Sequence, residues 1–389
     1  MRLGFHYHTP AKIKDGNIFM AGYIGLFIDS IANELDSLVC FLHTPNSSEE
    51  ALLTYPLQSK NIEFVNLGPH SSIPSRTIKG FKQRNIFKVW ESKIDVLLIR
   101  ASTPLLPIIS MVWRKPMALL LVSDATEGLD NLPQPTWRKI LIKVWAKWYQ
   151  SRENAIAKKC LTFVNSKALY NKLEKTVPNL VLTRTTTLSK NDFYRKSHFE
   201  LNQPIKVLYT GRISKIKGLL DIAQAILKLS EKGHQIEFHL VGMLDKKESI
   251  LSDLEDLFKE KNLKGHLIFH GFKTAGPELL GYYRQSDIFV TASQASSEGF
   301  PRTIWEAMAS SLPVIATKVG SIPFYIKDEA ILINPKDIKG IEESLELLIQ
   351  NEEKRKVLIQ KGLELSKENT LEVRAQEMIE KIKSEFLDK

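Results

Sequence analysis

Two loops in the second half of the chain carry residue types that could act together on one ligand. In GRISKIKG (211–218), Arg212 and Lys217 stand five residues apart, directly after the apolar run IKVLYT (205–210), and Gly211 permits a sharp exit from it. Two cations at a strand's carboxyl end, next to a helix start, can face a pyrophosphate with help from backbone N–H groups. In SSEGFPRTIWEAMASSLPVIAT (296–317), Glu298 and Glu306 are separated by seven residues. Gly299 and Pro301 break the chain, so a helix starts near Arg302, with Glu298 in the loop before it and Glu306 in its second turn. The N–H groups of such a helix start attract an anion, and carboxylates accept hydrogen bonds from vicinal hydroxyls. Phosphate plus polyol describes a nucleotide sugar. Each feature has a plainer reading alone: a solvated basic loop, a glutamate complementing a helix N-terminus, a glutamate on an exposed helix face. With Arg212 and Lys217 on an earlier strand end of the same predicted sheet, the four point to a shared ligand.

The elements that must position them recur along the whole chain. Short β-branched or leucine-rich runs lie at 2–7, 38–42, 62–67, 95–99, 117–122, 161–164 and 180–185, and again at 205–210, 236–241, 266–270, 287–292, 313–317 and 330–334. Near-continuous apolar runs separated by amphipathic stretches predict parallel strands covered on both faces, hence α/β. Two such series predict two Rossmann-like domains, residues 1–195 and 204–369, facing across a cleft. The polar, turn-rich stretch 190–204 reads as the linker between them. Ligands of open α/β sheets bind beyond the carboxyl ends of the strands, so the chemistry is expected in that cleft.

GRISKIKG, followed by SSEGFPRTIWEAMASSLPVIATKVGSIP, resembles the signature of family 4 glycosyltransferases, which have the GT-B fold. The resemblance covers the second half of the chain. It implies retaining transfer from a nucleotide diphosphate sugar without an obligatory metal or other cofactor, in the manner of a hexosyltransferase. It gives Arg212 and Lys217 the diphosphate, Glu306 the ribose hydroxyls and Glu298 the donor sugar, with the backbone around Gly211, Gly299, Phe300, Pro301 and Thr303 facing the ligand. It also implies that the helical stretch beyond about residue 370 packs back on the first domain. The chain has no D-x-D triplet of the kind that holds a divalent cation in transferases of the other major fold.

The first half follows the family less closely. Gly22 and Gly25, in DGNIFMAGYIGLFID (15–29), resemble its glycine-rich acceptor loop but lack a paired Gly-Gly, and an ordinary turn before a helix is the alternative. Where the family often carries a histidine, the chain reads SDATEGLD (123–130); Asp124 is the polar contact expected there, with capping of the next helix as its plainer role. His6 and His8 read as structural histidines. The segment 135–159 sets Trp137, Ile140, Leu141, Val144, Trp145 and Trp148 on one helical face, with seven cations, Lys139, Lys143 and Lys147 among them, against Glu153 alone. That is the composition of an interfacial membrane anchor if the apolar face is exposed, and of an ordinary Rossmann helix if it packs inward.

Charge supports an acidic partner for the first half. Residues 1–200 hold 27 Lys and Arg against 16 Asp and Glu, whereas 201–389 hold 27 against 28, although the whole chain is only +10. No zinc-finger, RNP-like or basic-zipper pattern accompanies the excess, so nucleic acid is not expected. Cys40 and Cys160 have no partner spacing, and no run approaches a membrane span. The expectation is a cytoplasmic enzyme, peripheral on the inner face of the membrane, moving sugar to a glycan or lipid-linked acceptor in cell-envelope polysaccharide or glycolipid synthesis. A GT-B-like nucleotide-sugar epimerase and a non-catalytic nucleotide-sugar-binding subunit are the alternatives.

Overall fold

The computed structural model describes residues 1–126, 129, 134–245, 248–295 and 299–388. The chain divides into two units, Met1–Arg184 with Arg374–Lys389, and Thr185–Val373. The first contains β1 (Arg2–Pro10), β2 (Lys12–Lys14), β3 (Asn17–Met20), α1 (Gly22–Ala32), β4 (Ser37–Thr44), β5 (Tyr55–Pro56), β6 (Ile62–Pro69), α2 (Ile73–Glu91), β7 (Val96–Ala101), α3 (Leu106–Val112), β8 (Met117–Leu121), α4 (Thr136–Ala157), β9 (Leu161–Val164), α5 (Lys167–Leu173) and β10 (Leu180–Leu182). The second contains β11 (Ile205–Thr210), α6 (Leu219–Glu231), β12 (Ile236–Val241), α7 (Ile250–Glu260), β13 (Leu267–Phe269), α8 (Pro277–Arg284), β14 (Ile288–Thr291), α9 (Arg302–Ala309), β15 (Val314–Thr317), α10 (Ile322–Tyr325), β16 (Ile331–Ile333), α11 (Ile338–Gln350) and α12 (Glu352–Lys367). Helix α13 (Leu371–Phe386) begins in the second unit and lies mostly in the first.

All thirteen apolar runs form strands of two parallel sheets. The first sheet has the order β10, β9, β8, β7, β1, β4, β6, and the second β13, β12, β11, β14, β15, β16. In the first sheet, alternate residues of β7 and β8 enter opposite cores: Leu98 and Leu120 one, Leu97 and Leu119 the other. This two-sided burial is why the strands read as unbroken apolar runs. Ala375, Met378, Ile379 and Ile382 of α13, one stripe at helical spacing, join the core that holds Leu3, Phe5 and Leu98. Full burial of such side chains stabilises by about 1.5–3 kcal/mol each, which fastens α13 to the first unit.

Two expectations change. The stretch 190–204, read as a linker, is held to the second unit: Tyr194 N–H donates to the Ala309 carbonyl at 2.8 Å, and Arg355 Nη2 to that of Phe199 at 2.6 Å. The glycine loop at 15–29 is instead a hairpin and a helix. Asp15 and Gly16, at φ 49° and 76°, form the two-residue turn between β2 and β3, which with β5 make a small antiparallel sheet. Gly22 opens α1, and Gly25 lies inside it, where a Cβ would stand 2.3 Å from the Tyr55 ring. Gly25 therefore lets β5 close on α1, and the Tyr55 hydroxyl donates to buried Asp29 at 2.9 Å.

Candidate functional site

In the second unit the two motif loops meet. After β11 the chain turns through Gly211, at φ 139°, and the Tyr209 hydroxyl donates to the Arg212 carbonyl at 2.9 Å, curling the loop. The loop ends at Gly218, which precedes α6 at φ 67°; a Cβ there would lie 2.1 Å from the Ala292 carbonyl oxygen. Only glycine allows this approach. Beside it, Gln294 N–H donates to the Ile216 carbonyl at 2.8 Å, and Gln294 Nε2 to Asp221 Oδ2 at 2.7 Å. The loop of Arg212 and Lys217 is thus stitched to the loop that leaves β14 toward Glu298. Arg212 is exposed and Lys217 half-buried. Glu298 itself lies outside the described residues.

Helix α9 starts at Arg302 behind Pro301, which provides no side-chain cap, and its first turn has no acidic residue. The N–H groups of Arg302 and Thr303 precede the first intrahelical bond, made by Ile304 to the Pro301 carbonyl at 3.1 Å, and are the donors an anion would take. Phe300 is buried and stacked on Trp305 with centroids 4.1 Å apart, so it anchors the turn and leaves its backbone, with that of half-buried Gly299, for a ligand.

Glu306 is 6% exposed, and both oxygens are engaged inside the unit. Thr187 Oγ1 donates to Oε1 at 2.6 Å, and the Tyr283 hydroxyl to Oε2 at 2.8 Å. Tyr283 is also hydrogen-bonded to Thr210, the last residue of β11. Burial, then the Glu306 charge, push the Tyr283 phenol well above its ordinary range, so it stays a donor. A carboxylate has about four lone-pair directions, so two remain on Glu306. The chain Glu306–Tyr283–Thr210 joins the second turn of α9 to the residue before Gly211. Tyr283 and Thr187 had no motif around them to mark them in the sequence, and Thr210, directly before the first motif, read only as part of its strand.

In the first unit, Asp124 is spent on local structure. Its Oδ1 receives Thr126 N–H at 2.8 Å and Thr126 Oγ1 at 2.6 Å, while Oδ2 pairs with Lys172. Burial works against its charge, yet Lys172 and Thr126 outweigh this and hold the carboxyl below its usual range. Ser123 is exposed, and Glu127 lies outside the described residues. Helix α4 turns its apolar stripe outward: Trp137, Ile140, Leu141, Val144 and Trp148 are 46–63% exposed. The face that packs inward consists of Ala146, Tyr149, Glu153 and Ala157. Trp145 is the exception in the stripe, half-buried and stacked on Tyr149 at 5.2 Å. Lys147 is exposed beside the stripe, and Lys139 and Lys143 are half-buried. Among the described residues, no helix is long and apolar enough to cross a membrane.

Two Rossmann-like units, each built on a parallel sheet, are the fold class of GT-B glycosyltransferases. Residues 190–365 match the family model of glycosyl transferases group 1. Over 177 residues the chain is 30% identical to the capsular polysaccharide biosynthesis glycosyltransferase CapM of Staphylococcus aureus, covering 45% of this chain and 44% of CapM. The chain spans less than two thirds of the length of the first curated relatives it matches. Among solved structures, sucrose-phosphate synthase from Thermosynechococcus elongatus superposes with a TM-score of 0.74 at 18% identity, covering 100% of both chains. HepE of Anabaena, in complex with UDP and glucose, gives 0.71 at 16% identity, over 99% of this chain and 100% of its own.

Proposed function

We propose that the chain is a metal-independent, retaining glycosyltransferase that moves a hexose from a UDP- or GDP-linked donor to a glycan or lipid-linked acceptor, in cell-envelope polysaccharide or glycolipid synthesis. The observation that carries this reading is the junction of the two motif loops in the second unit, at Gly218 against Ala292 and through Glu306, Tyr283 and Thr210. The family match over 190–365 and the UDP and glucose bound by HepE support the donor class.

In this reading Arg212, Lys217 and the N–H groups at the start of α9 hold the diphosphate. Glu306, its carboxylate fixed by Thr187 and Tyr283, offers its remaining lone pairs to the ribose hydroxyls, and Glu298 holds the donor sugar. The bond between the anomeric carbon and the diphosphate oxygen breaks with oxocarbenium character, and the electron pair leaves with the nucleoside diphosphate. The acceptor hydroxyl forms the new glycosidic bond on the face just vacated, and its proton passes to a leaving phosphate oxygen. Arg212 and Lys217 stabilise the charge that grows there. Loss of one such preorganised contact costs about 3–4 kcal/mol, on the order of a hundred- to a thousandfold in rate.

The exposed stripe of α4, with Trp137 and Trp148 among its side chains and Lys147 beside them, is read as the surface that rests on an anionic bilayer. A peripheral enzyme on the cytoplasmic face would meet a lipid-linked acceptor there. A thermal-shift screen of UDP-, GDP- and ADP-sugars tests the donor reading. A ligand at a hundred times its dissociation constant stabilises the native state by about 2.7 kcal/mol, and a screen in which none of these ligands raises the melting temperature would count against it.

A further inference from the structure

The first unit holds a cluster of buried polar groups that the transfer chemistry above does not use. It lies at the carboxyl ends of β1, β4 and β6, where parallel sheets bind ligands, and at the start of α2. Arg76, in α2, is 7% exposed, and among the described residues its Nε and Nη1 meet no hydrogen-bond partner. His8 Nδ1, His43 Nε2, His70 Nε2 and Ser71 Oγ are likewise buried without a partner. The rings are neighbours, with centroids 5.8 Å apart for His43 and His70 and 6.4 Å for His8 and His70. Ser72, at the N-cap of α2, makes no side-chain cap bond, and the first turn has no acidic residue, so the helix start adds free N–H groups. Glu49 receives His70 Nδ1–H at 2.5 Å and acts on Arg76 through its charge, but among the described residues no carboxylate forms a salt bridge with the guanidinium.

Buried polar atoms in native proteins are nearly always bonded, and a buried cation without an anion is costly. Six such atoms on four elements and their loops are therefore unusual. We propose that this cluster is a binding site for a phosphoryl group. That the phosphate belongs to the acceptor rests on the reading of the first unit as the acceptor side; the site itself rests on the first unit alone.

The chemistry favours a phosphoryl group over a carboxylate. His43 Nδ1 faces the Gly68 carbonyl at 3.2 Å, which can only accept, so Nδ1 carries the proton. Burial holds the His43 ring at a pKa of about 4, hence neutral, and its Nε2 is an acceptor. A hydrogen phosphate or phosphate monoester offers that nitrogen an O–H while its other oxygens accept from Arg76, whereas a carboxylate has no proton to give. The other titratable groups around the site are His6 and His8 on β1, Glu49 after β4, His70 after β6, and Arg100 on β7. Burial keeps His6 and His8 neutral, each near pKa 3.

The test titrates the full chain with inorganic phosphate while the histidine ring signals are followed by NMR, with those of the second unit's His239, His266 and His270 as internal controls. The rings of His8, His43 and His70 are expected to move together along one saturation curve. Arg76→Lys, which keeps the charge and loses the fork, is expected to raise the dissociation constant about 10- to 100-fold, and Arg76→Gln to abolish the shift. Glucose 1-phosphate and farnesyl phosphate in neutral micelles then separate the sources: tighter binding of the first assigns the phosphate to a soluble acceptor, of the second to a lipid carrier. Rings that stay still with all three ligands, or a curve that Arg76→Lys leaves unchanged, would overturn the proposal. Because the readout is residue-specific to the first unit, the phosphoryl site can fail while a sugar nucleotide still binds the second unit, and the reverse.

Discussion

Replacing Tyr283 by Phe removes one oxygen from the buried chain that links α9 to β11 and leaves the packing volume almost unchanged. The Tyr283 hydroxyl is one of two donors to Glu306, a carboxylate 6% exposed, at 2.8 Å. A hydrogen bond to a charged group contributes about 1.5–3 kcal/mol. At about 2–4 °C per kcal/mol for a unit of this size, the second unit should melt roughly 3–12 °C lower. Thr210→Val, which severs only the neutral end of the chain, should cost less, about 0.5–1.5 kcal/mol. Scanning calorimetry of both variants reads the two effects, and a titration with nucleoside diphosphate reads whether a loosened Glu306 binds more weakly. A Tyr283→Phe protein that melts with the parent would show that Tyr283 does not hold Glu306, and the link between the two motif loops would lose one of its ties.

Other perturbations separate the remaining roles. Lys217→Ala should lower turnover about a hundred- to a thousandfold with little change in melting temperature; unchanged turnover would remove Lys217 from the site. Gly218→Ala would set a Cβ 2.1 Å from the Ala292 carbonyl at a φ of 67°, so it should destabilise the second unit by more than about 1 kcal/mol in urea titrations, and a silent substitution would mean that the loops can part freely. Substituting Arg138, Lys139 and Lys147 by Gln should weaken binding to anionic liposomes roughly 150-fold, at about 1 kcal/mol per charge, and salt should weaken the parent in the same sense; equal binding would leave the α4 stripe without an electrostatic role. His6 and His43 are pushed down by burial to about 3 and about 4, so between pH 6.5 and 4 the unfolded chain takes up protons that the folded one refuses. Stability should be full above pH 6.5 and fall below it by up to about 1.4 kcal/mol per pH unit for each ring, and a flat urea midpoint across this range would contradict their burial.

The strands were legible because burial on both faces writes itself as unbroken apolar runs, and Ile205–Thr210 or Val314–Thr317 need no context to be seen. The small sheet was missed because β5 has only two residues, although Asp15-Gly16 carried a hairpin signal between Lys14 and Asn17. Gly25 looked like a ligand-facing glycine because sequence cannot distinguish a backbone approached by phosphate from one approached by the Tyr55 ring. The face of α4 was undecidable for a related reason: Trp137 and Tyr149 are both large aromatics, and only tertiary packing sends Tyr149 inward to Glu153 and Thr103 while Trp137 stays out. The spacing put Glu306 in the second turn of a helix, where it stands, but did not reveal the hydroxyls around it, since Thr187 and Tyr283 come from segments 119 and 23 residues away. The cluster around Arg76 was not legible: His8 read as a structural histidine, and the other members come from separate elements that only the fold brings together.

The central claim is that the joined loops of the second unit hold a nucleoside diphosphate. Calorimetric titration of the full chain with UDP, GDP and ADP in turn measures this directly. One of them should bind at one equivalent per chain, and the affinity should drop at least tenfold when Arg212 is replaced by Ala. No heat with any of the three, or binding indifferent to that replacement, would contradict the account.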